Sequence, residues 1–563
     1  MNPLLKTDAY KLFHREMYPD NTTLVYSNWT PRSNRHYTGN NEDGVVVFGI
    51  QATIKKLIEE FDAYFFGAPR ERVVKEYKRV IGDFTGNQEY ETGHIDYLHS
   101  LGKLPLVIKA LPEGTMCPIG VPCLTVYNTD PRCFWLVNYL ETLLSAELWP
   151  HMTNATISRE YRQILQEYGE LTGVPDDFIQ WQGHDFSMRG LYGSDVGRFG
   201  MGHLLSFTGT DTIPVFAAVN KFYPMNGLIA SSVPASEHSV QCAHYTGDGD
   251  EDTYMRHMLD LHPTGIVSIV CDGFDYWNFV TKVLPKFKDE IMARDGRVVI
   301  RPDTGSIVDI ICGLNIFPEE QEWDENTADQ LADDLAKQGY NGANFKGHKT
   351  HEIFNHPDVG HVFGYSDMQE SYEQKGSIET LWDIFGGTEV KGTDGKMYKH
   401  LDPHIGLIYG DSVTIPICRE VCEKLAAKGF STNNLVFGIG SYTFQYNTRD
   451  TFGFAMKATY IEQKLVDVAS LRLGNTEKQA SWIRGKEIFK DPKTKGNMSK
   501  KSLKGLITVA VNIDDNGQPH LVALDQQDWD RETTGYLREV FRDGKLLINE
   551  SLEVIRERVR QNL

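Results

Sequence analysis

Five segments of this chain share one design: a short apolar run that ends on an Asp and passes into a Gly or small-residue turn. They are Phe178–Gly190, Leu204–Thr212, Ile266–Asp275, Arg297–Ser306 and Ile405–Val413. A short apolar run bounded by turn residues reads as a buried strand. Helix-like stretches lie between the runs, and buried parallel strands joined by helices set their C-terminal ends on one face of a sheet or barrel. Asp185, Asp211, Asp272, Asp303 and Asp411 are then expected to share a mouth suited to a polar, phosphorylated or metal-bound substrate. The expected fold class is α/β, an irregular β/α-barrel with a second α/β domain built from the N- and C-terminal segments.

The 563 residues suffice for two or three domains. A formal net charge of −20 argues against nucleic acid or an anionic membrane as a partner. No apolar run is long enough to span a bilayer. The eight Cys contain no CxxC pair, so neither a zinc site nor a dithiol redox motif is expected. Cys418 and Cys422, four apart in a helical stretch, read as small apolar core residues. A reducing cytoplasmic location is the simplest expectation.

Residues 1–154 read as an N-terminal α/β segment, 155–460 as the barrel and 461–563 as a C-terminal α/β segment packing with the first. Asp130 and Pro131 read as an N-cap and first helical residue. Residues 313–403 break the strand–helix rhythm and read as an insertion. Its histidines 348, 351, 356 and 361 have no established ligand spacing, so a solvated loop is expected rather than a metal site. The Lys-rich stretch 490–505 reads as a loop.

Three places carry candidate chemistry. Glu237 and His238 follow a Pro234 loop of small residues, and a carboxylate beside the imidazole would orient it. Arg301 and Asp303 share a strand face, suiting a phosphate together with Mg²⁺ or a sugar hydroxyl, although capping of the next helix could alone explain Asp303. Gly410, Gly438 and Gly440 let backbone N–H groups approach an anion, and Arg449 and Lys457 follow. Phe186 in the turn after Asp185 reads as a core plug unless the substrate is an aromatic ring.

With these residues in order, the chain resembles the nicotinamide phosphoribosyltransferases, a branch of the type II phosphoribosyltransferases. The resemblance runs nearly end to end through TDAYK (Thr7–Lys11), YNTDP (Tyr127–Pro131), HDFSMRG (His184–Gly190), GTDT (Gly209–Thr212), SVPASEHS (Ser232–Ser239), VSIVCDGFD (Val267–Asp275), RPDTG (Arg301–Gly305), YGDS (Tyr409–Ser412) and FKDP (Phe489–Pro492). It implies transfer of phosphoribose from 5-phosphoribosyl-1-pyrophosphate to nicotinamide with Mg²⁺. It also implies ATP as an optional driver through a phosphorylated His, and a homodimer that shares its active sites.

The resemblance also implies roles. Phe186 and Tyr10 of a second subunit would stack on the pyridine ring. Asp211 would accept from the carboxamide and repel nicotinate. Arg189, Ser268 and Arg301 would hold the amide oxygen and phosphoribosyl part. His238 would be phosphorylated, with Glu237 and Asp272 as neighbours and Asp272 paired to its ring. Asp303 would hold ribose hydroxyls or the metal. Gly410, Asp411, Gly440 and Ser441 would cradle the 5′-phosphate. Arg32, Arg449, Lys457 and Lys490 would take pyrophosphate or ATP phosphates. The chain departs from vertebrate members at Ser441, where they carry Gly, at Cys271 and Gly273, where they carry Ser, and in the longer 313–403 segment. The alternatives are a nicotinate phosphoribosyltransferase, a barrel-fold binding protein without turnover and a carboxylate-pair hydrolase.

Overall fold

The computed structural model describes residues 1–40, 44–191, 193, 196–245, 251–313, 315–317, 325–337, 342–345, 351–357, 360–365, 371–410, 412–466, 481–491, 502–526 and 535–561. Each of the five apolar runs contains a strand. With a sixth they form one parallel sheet: β1 (Gly183–Asp185), β2 (Gly209–Thr210), β3 (Gly265–Val270), β4 (Gly296–Arg301), β5 (Ile405–Tyr409) and β6 (Leu435–Ile439), in spatial order β2-β1-β6-β5-β4-β3.

The two edges of this curled sheet meet across residues 231–236. Ser231 bridges β2 at Gly209, and Ala235 bridges β3 at Ser268, both parallel. The Ser231 N–H donates to Thr208 O at 2.9 Å, and the Ser268 N–H donates to Pro234 O at 2.9 Å. The expected loop around Pro234 is therefore the stave that closes the barrel, and closure removes both open edges.

Val267, Ile269, Val298, Ile300, Leu407 and Phe437, on the helix-facing side of the sheet, pack with Ile311, Leu381, Val421 and Cys422 of the surrounding helices. Each such buried aliphatic side chain contributes about 1.5–3 kcal/mol. Cys418 and Cys422 are buried in this core, as expected, and all eight thiols are free. Among the described residues no helix is long and apolar enough to cross a membrane.

The N- and C-terminal segments do join in one sheet. Its seven antiparallel strands run in the order Ser481–Glu487, Ala455–Val466, Thr22–Thr30, Leu124–Asn128, Leu106–Ala110, Arg538–Arg542 and Lys545–Leu546. Trp29 and Phe454 stack in its core at 5.3 Å.

The helix Glu141–Thr172 links the two bodies, and the 154/155 division falls inside it. It continues past Pro150 with residues 150–162 all buried. Met152 packs in the sheet domain, and Ile157 and Tyr161 pack in the barrel. A helical stretch buried on all sides sits between layers rather than on a surface, although here it also carries buried polar residues such as Asn154, Arg159 and Glu160. The 460/461 division likewise falls within the strand Ala455–Val466. The Asp130 cap is present, accepting from the Arg132 N–H, but the turn it starts stops at Cys133.

The 313–403 segment is only partly separate. Helix Tyr372–Phe385 starts on a Ser371–Gln374 capping box and buries Ile378, Leu381 and Phe385 in the barrel core. It is one of the barrel's own helices. The strands Asn315–Phe317, Gly342–Phe345, His351–His356 and Gly360–Tyr365 form their own small sheet. His361 bonds Asp333 at 2.7 Å; His348 lies outside the described residues.

Candidate functional site

Strand alternation sorts the residues of HDF. Asp185 turns away from the barrel lumen and is buried, accepting from the Ser187 N–H at 2.9 Å and from Thr210 Oγ1 at 2.9 Å. It ties β1 to β2 and does not join the mouth, which corrects the expectation of five shared carboxylates. Asp411 lies outside the described residues. Asp211, Asp272 and Asp303 remain.

His184 and Phe186 take the opposite face, with ring centroids 4.6 Å apart. They line a cavity of about 660 Å³ together with Asp211, Ser268 and Arg301. Gly438 gives Phe186 its place, since a Cβ there would lie 3.0 Å from the ring. The Ser268 Oγ is buried without a hydrogen-bond partner among the described residues. Asp211 accepts from His184 Nε2 at 2.9 Å and from the Ser232 hydroxyl. Burial alone would raise its pKa, but these bonds outweigh burial and hold it below the ordinary carboxylate value. The cavity thus has an aromatic wall, an anionic acceptor, an unused hydroxyl and a guanidinium.

A second group sits at the ends of β3 and β4. His238 opens the short helix His238–Ala243, and its Nε2 lies 3.0 Å from Asp272 Oδ1. Asp272 Oδ2 accepts from the Asp303 N–H and the Thr304 N–H, each at 2.7 Å, and from the Thr304 hydroxyl. Burial pushes the Asp272 pKa up, and the bonds from Thr304, Asp303 and His238 pull it further down, to below the usual value. Glu237 instead accepts from the Ser239 hydroxyl, and among the described residues the imidazole's hydrogen-bond partner is Asp272.

The helix after β4 is capped by Ser306, not Asp303. Capping therefore does not account for Asp303, whose Oδ1 lies 3.7 Å from Arg301 Nε. Gly410, at the end of β5, admits this carboxylate, because a Cβ there would overlap it. Gly440 precedes the helix Ser441–Gln445. The Ser441 side chain packs against Gly190, where a Cβ would overlap it.

The remaining cations gather on the antiparallel sheet. Lys457 lies in the strand paired with Thr22–Thr30, and Arg32 follows that strand. Burial and then Arg449 lower the Arg32 pKa. Burial also lowers that of Lys457, with Arg32, Lys11 and Arg449 adding to it against Glu141. Lys11 and Glu141 form an ion pair at this cluster. Tyr10, 57% exposed beside Lys11, belongs to this body and does not line the barrel cavity. Arg189 and Lys490 are exposed and also stand outside the cavity.

Sequence reasoning missed His184, Ser232, Thr304, Lys11 and Glu141. The i, i+2 spacing of His184 and Phe186 was a usable signal. Nothing local marks Glu141 or Ser232.

Residues 181–545 match the nicotinate phosphoribosyltransferase (NAPRTase) family, and residues 2–108 match the nicotinamide phosphoribosyltransferase N-terminal domain. This chain belongs to the nicotinate phosphoribosyltransferase family. The Nicotinamide phosphoribosyltransferase of Acinetobacter baylyi is 38% identical, covering 100% of this chain and 98% of its own. That of Mycoplasma pneumoniae is 31% identical, over 82% and 89%. Among solved structures, human Nicotinic Acid Phosphoribosyltransferase aligns over 99% of this chain and 93% of its own, at 12% identity and a TM-score of 0.49.

Proposed function

We propose that this protein transfers the phosphoribosyl group of 5-phosphoribosyl-1-pyrophosphate to nicotinamide, releasing nicotinamide mononucleotide and pyrophosphate. The observation that carries this reading is the Asp211 carboxylate, kept anionic beside Phe186 in the cavity. An anion there accepts from a carboxamide N–H and repels a carboxylate, so nicotinamide is favoured over nicotinate. The names of the relatives support the same choice.

Phe186 stacks one face of the ring, and Ser268 donates to the amide oxygen. The pyridine nitrogen attacks the anomeric carbon as pyrophosphate leaves through an oxocarbenium-like transition state. No general base is needed, because that nitrogen carries no proton. Orientation of the two reactants is the main contribution of the cavity. Arg301 and the backbone at Gly410 and Gly440 hold the phosphoribosyl part.

Mg²⁺ commonly binds through one or two carboxylates with substrate phosphates completing its shell. Asp303, at the mouth beside Arg301, fits that role, and no group of three or more metal-binding side chains exists among the described residues. When bound, the ion supplies charge neutralisation on the pyrophosphate.

His238 serves as phosphoacceptor from ATP. Asp272 takes the Nε2–H, which leaves the Nδ1 lone pair as nucleophile. Tyr10 and the cluster of Lys11, Arg32, Arg449 and Lys457 complete the site from a second copy in a homodimer, because in one chain they lie outside the cavity. Eight free thiols accord with a cytoplasmic setting.

The test is synthesis from 5-phosphoribosyl-1-pyrophosphate and Mg²⁺ with each pyridine, with and without ATP. Mononucleotide from nicotinamide supports the proposal. Product from nicotinate alone moves the protein to the sister activity, and none from either leaves a binding role.

A further inference from the structure

Asp211 is held from one side only. Both of its side-chain bonds, from His184 Nε2 at 2.9 Å and from the Ser232 hydroxyl, fall on Oδ1. No described residue bonds Oδ2. An ionised carboxylate only accepts, so the hydrogen-bond pattern assigns the proton to Nε2 of His184. The ring is fixed from two further directions. Phe186 packs against it at 4.6 Å, and Gly209 of β2 leaves space where a Cβ would lie 2.7 Å from Nδ1. The two donors come from different staves, His184 from β1 and Ser232 from the closing segment, and Asp211 follows β2 between them. The Asp211 N–H, donating to Asp185 O at 2.9 Å, anchors the backbone beneath the carboxylate.

We propose that His184 and Ser232 are positioning residues that set the preference for the amide over the acid, by fixing Oδ1 so that Oδ2 alone faces the ring substituent. This rests on the reading of the cavity as a nicotinamide site. A carboxylate free to rotate would share its two oxygens between water and substrate and present neither in a fixed direction. Tied through Oδ1, it offers a single acceptor to one amide N–H. A nicotinate carboxylate at the same place meets an anion that cannot swing away.

The test uses the full-length protein and three variants. His184→Phe keeps a ring against Phe186 and removes the donor. His184→Gln restores a donor on a different frame. Ser232→Ala removes the second bond. The readouts are KM for nicotinamide, KM for 5-phosphoribosyl-1-pyrophosphate, the ratio of kcat/KM for nicotinamide to that for nicotinate, and calorimetric nicotinamide binding.

His184→Phe is expected to raise KM for nicotinamide and lower the ratio by about 10- to 100-fold, the range for losing one bond to a charged group. KM for the phosphoribosyl donor should hold, His184→Gln should recover most of the loss, and Ser232→Ala should move the ratio the same way. An unchanged ratio in His184→Phe, or equal loss with both pyridines, overturns the proposal, since packing alone would then explain the residue. If the wild type binds nicotinamide but does not turn it over, the proposed function fails. Calorimetry on the variants then decides this inference separately, weaker nicotinamide binding by His184→Phe sustaining it and equal binding overturning it.

Discussion

Asp272 bonds His238 through one carboxylate oxygen and the Asp303–Thr304 turn through the other. One buried residue therefore couples the proposed phosphoacceptor to the loop that carries the proposed metal and ribose ligand. His238→Ala should abolish ATP stimulation and phosphoprotein formation while ATP-independent synthesis persists. Labelling with γ-phosphate-labelled ATP beside a product assay checks this. Retained label and stimulation would place the phosphoacceptor elsewhere.

Gly410→Ala tests the place of Asp303. The new methyl group would overlap its carboxylate and push it away from the mouth. A displacement of about 1 Å at a reacting centre can cost on the order of 100-fold. We expect that loss in kcat/KM for the phosphoribosyl donor with nicotinamide binding retained, measured by kinetics and calorimetry.

Glu113 gives a stability prediction away from the cavity. It is fully buried, accepting from the Gln51 N–H at 2.6 Å and Tyr223 Oη at 2.8 Å, and burial raises its pKa from 4.5 to about 7. The folded state thus binds a proton more tightly than the unfolded chain. Its stabilising contribution is complete below pH 4.5 and is lost as the pH rises to about 7. At about 1.4 kcal/mol per pH unit the loss is roughly 3 kcal/mol. Denaturant unfolding across this window should show it in the wild type and not in Glu113→Gln.

How far the sequence could be read differs by element. The strand–Asp units were legible because apolar runs and turns are local signals. Which face each Asp takes was not, so buried Asp185 looked equal to Asp211. The stave at 231–236 was read as a loop, because Ser and Pro replace the apolar run and its pairing comes only from β2 and β3. Helix Glu141–Thr172 crossed an expected boundary since Pro150 normally ends a helix, and only burial on all sides reveals its continuity. Helix Tyr372–Phe385 was absorbed into an insertion for want of a marker that it returns to the barrel. His238, Asp272 and Asp303 were visible through motif order, and the resemblance already implied the pairing of Asp272 with the ring; the bonds from the Asp303–Thr304 turn to the second Asp272 oxygen needed three dimensions.

Asp211→Asn removes the repelling charge and keeps the size of the side chain. The ratio of nicotinamide to nicotinate use should fall by at least about 10-fold, since a fixed charge facing an anion contributes several kcal/mol of discrimination. Parallel kinetics with both pyridines measure it, and a fixed ratio would assign selection to another group.

The central claim is tested most directly by offering nicotinamide and nicotinate side by side to the wild-type protein with 5-phosphoribosyl-1-pyrophosphate and Mg²⁺, and following mononucleotide formation. The account predicts nicotinamide mononucleotide with little or no product from nicotinate. Equal or greater use of nicotinate would contradict it.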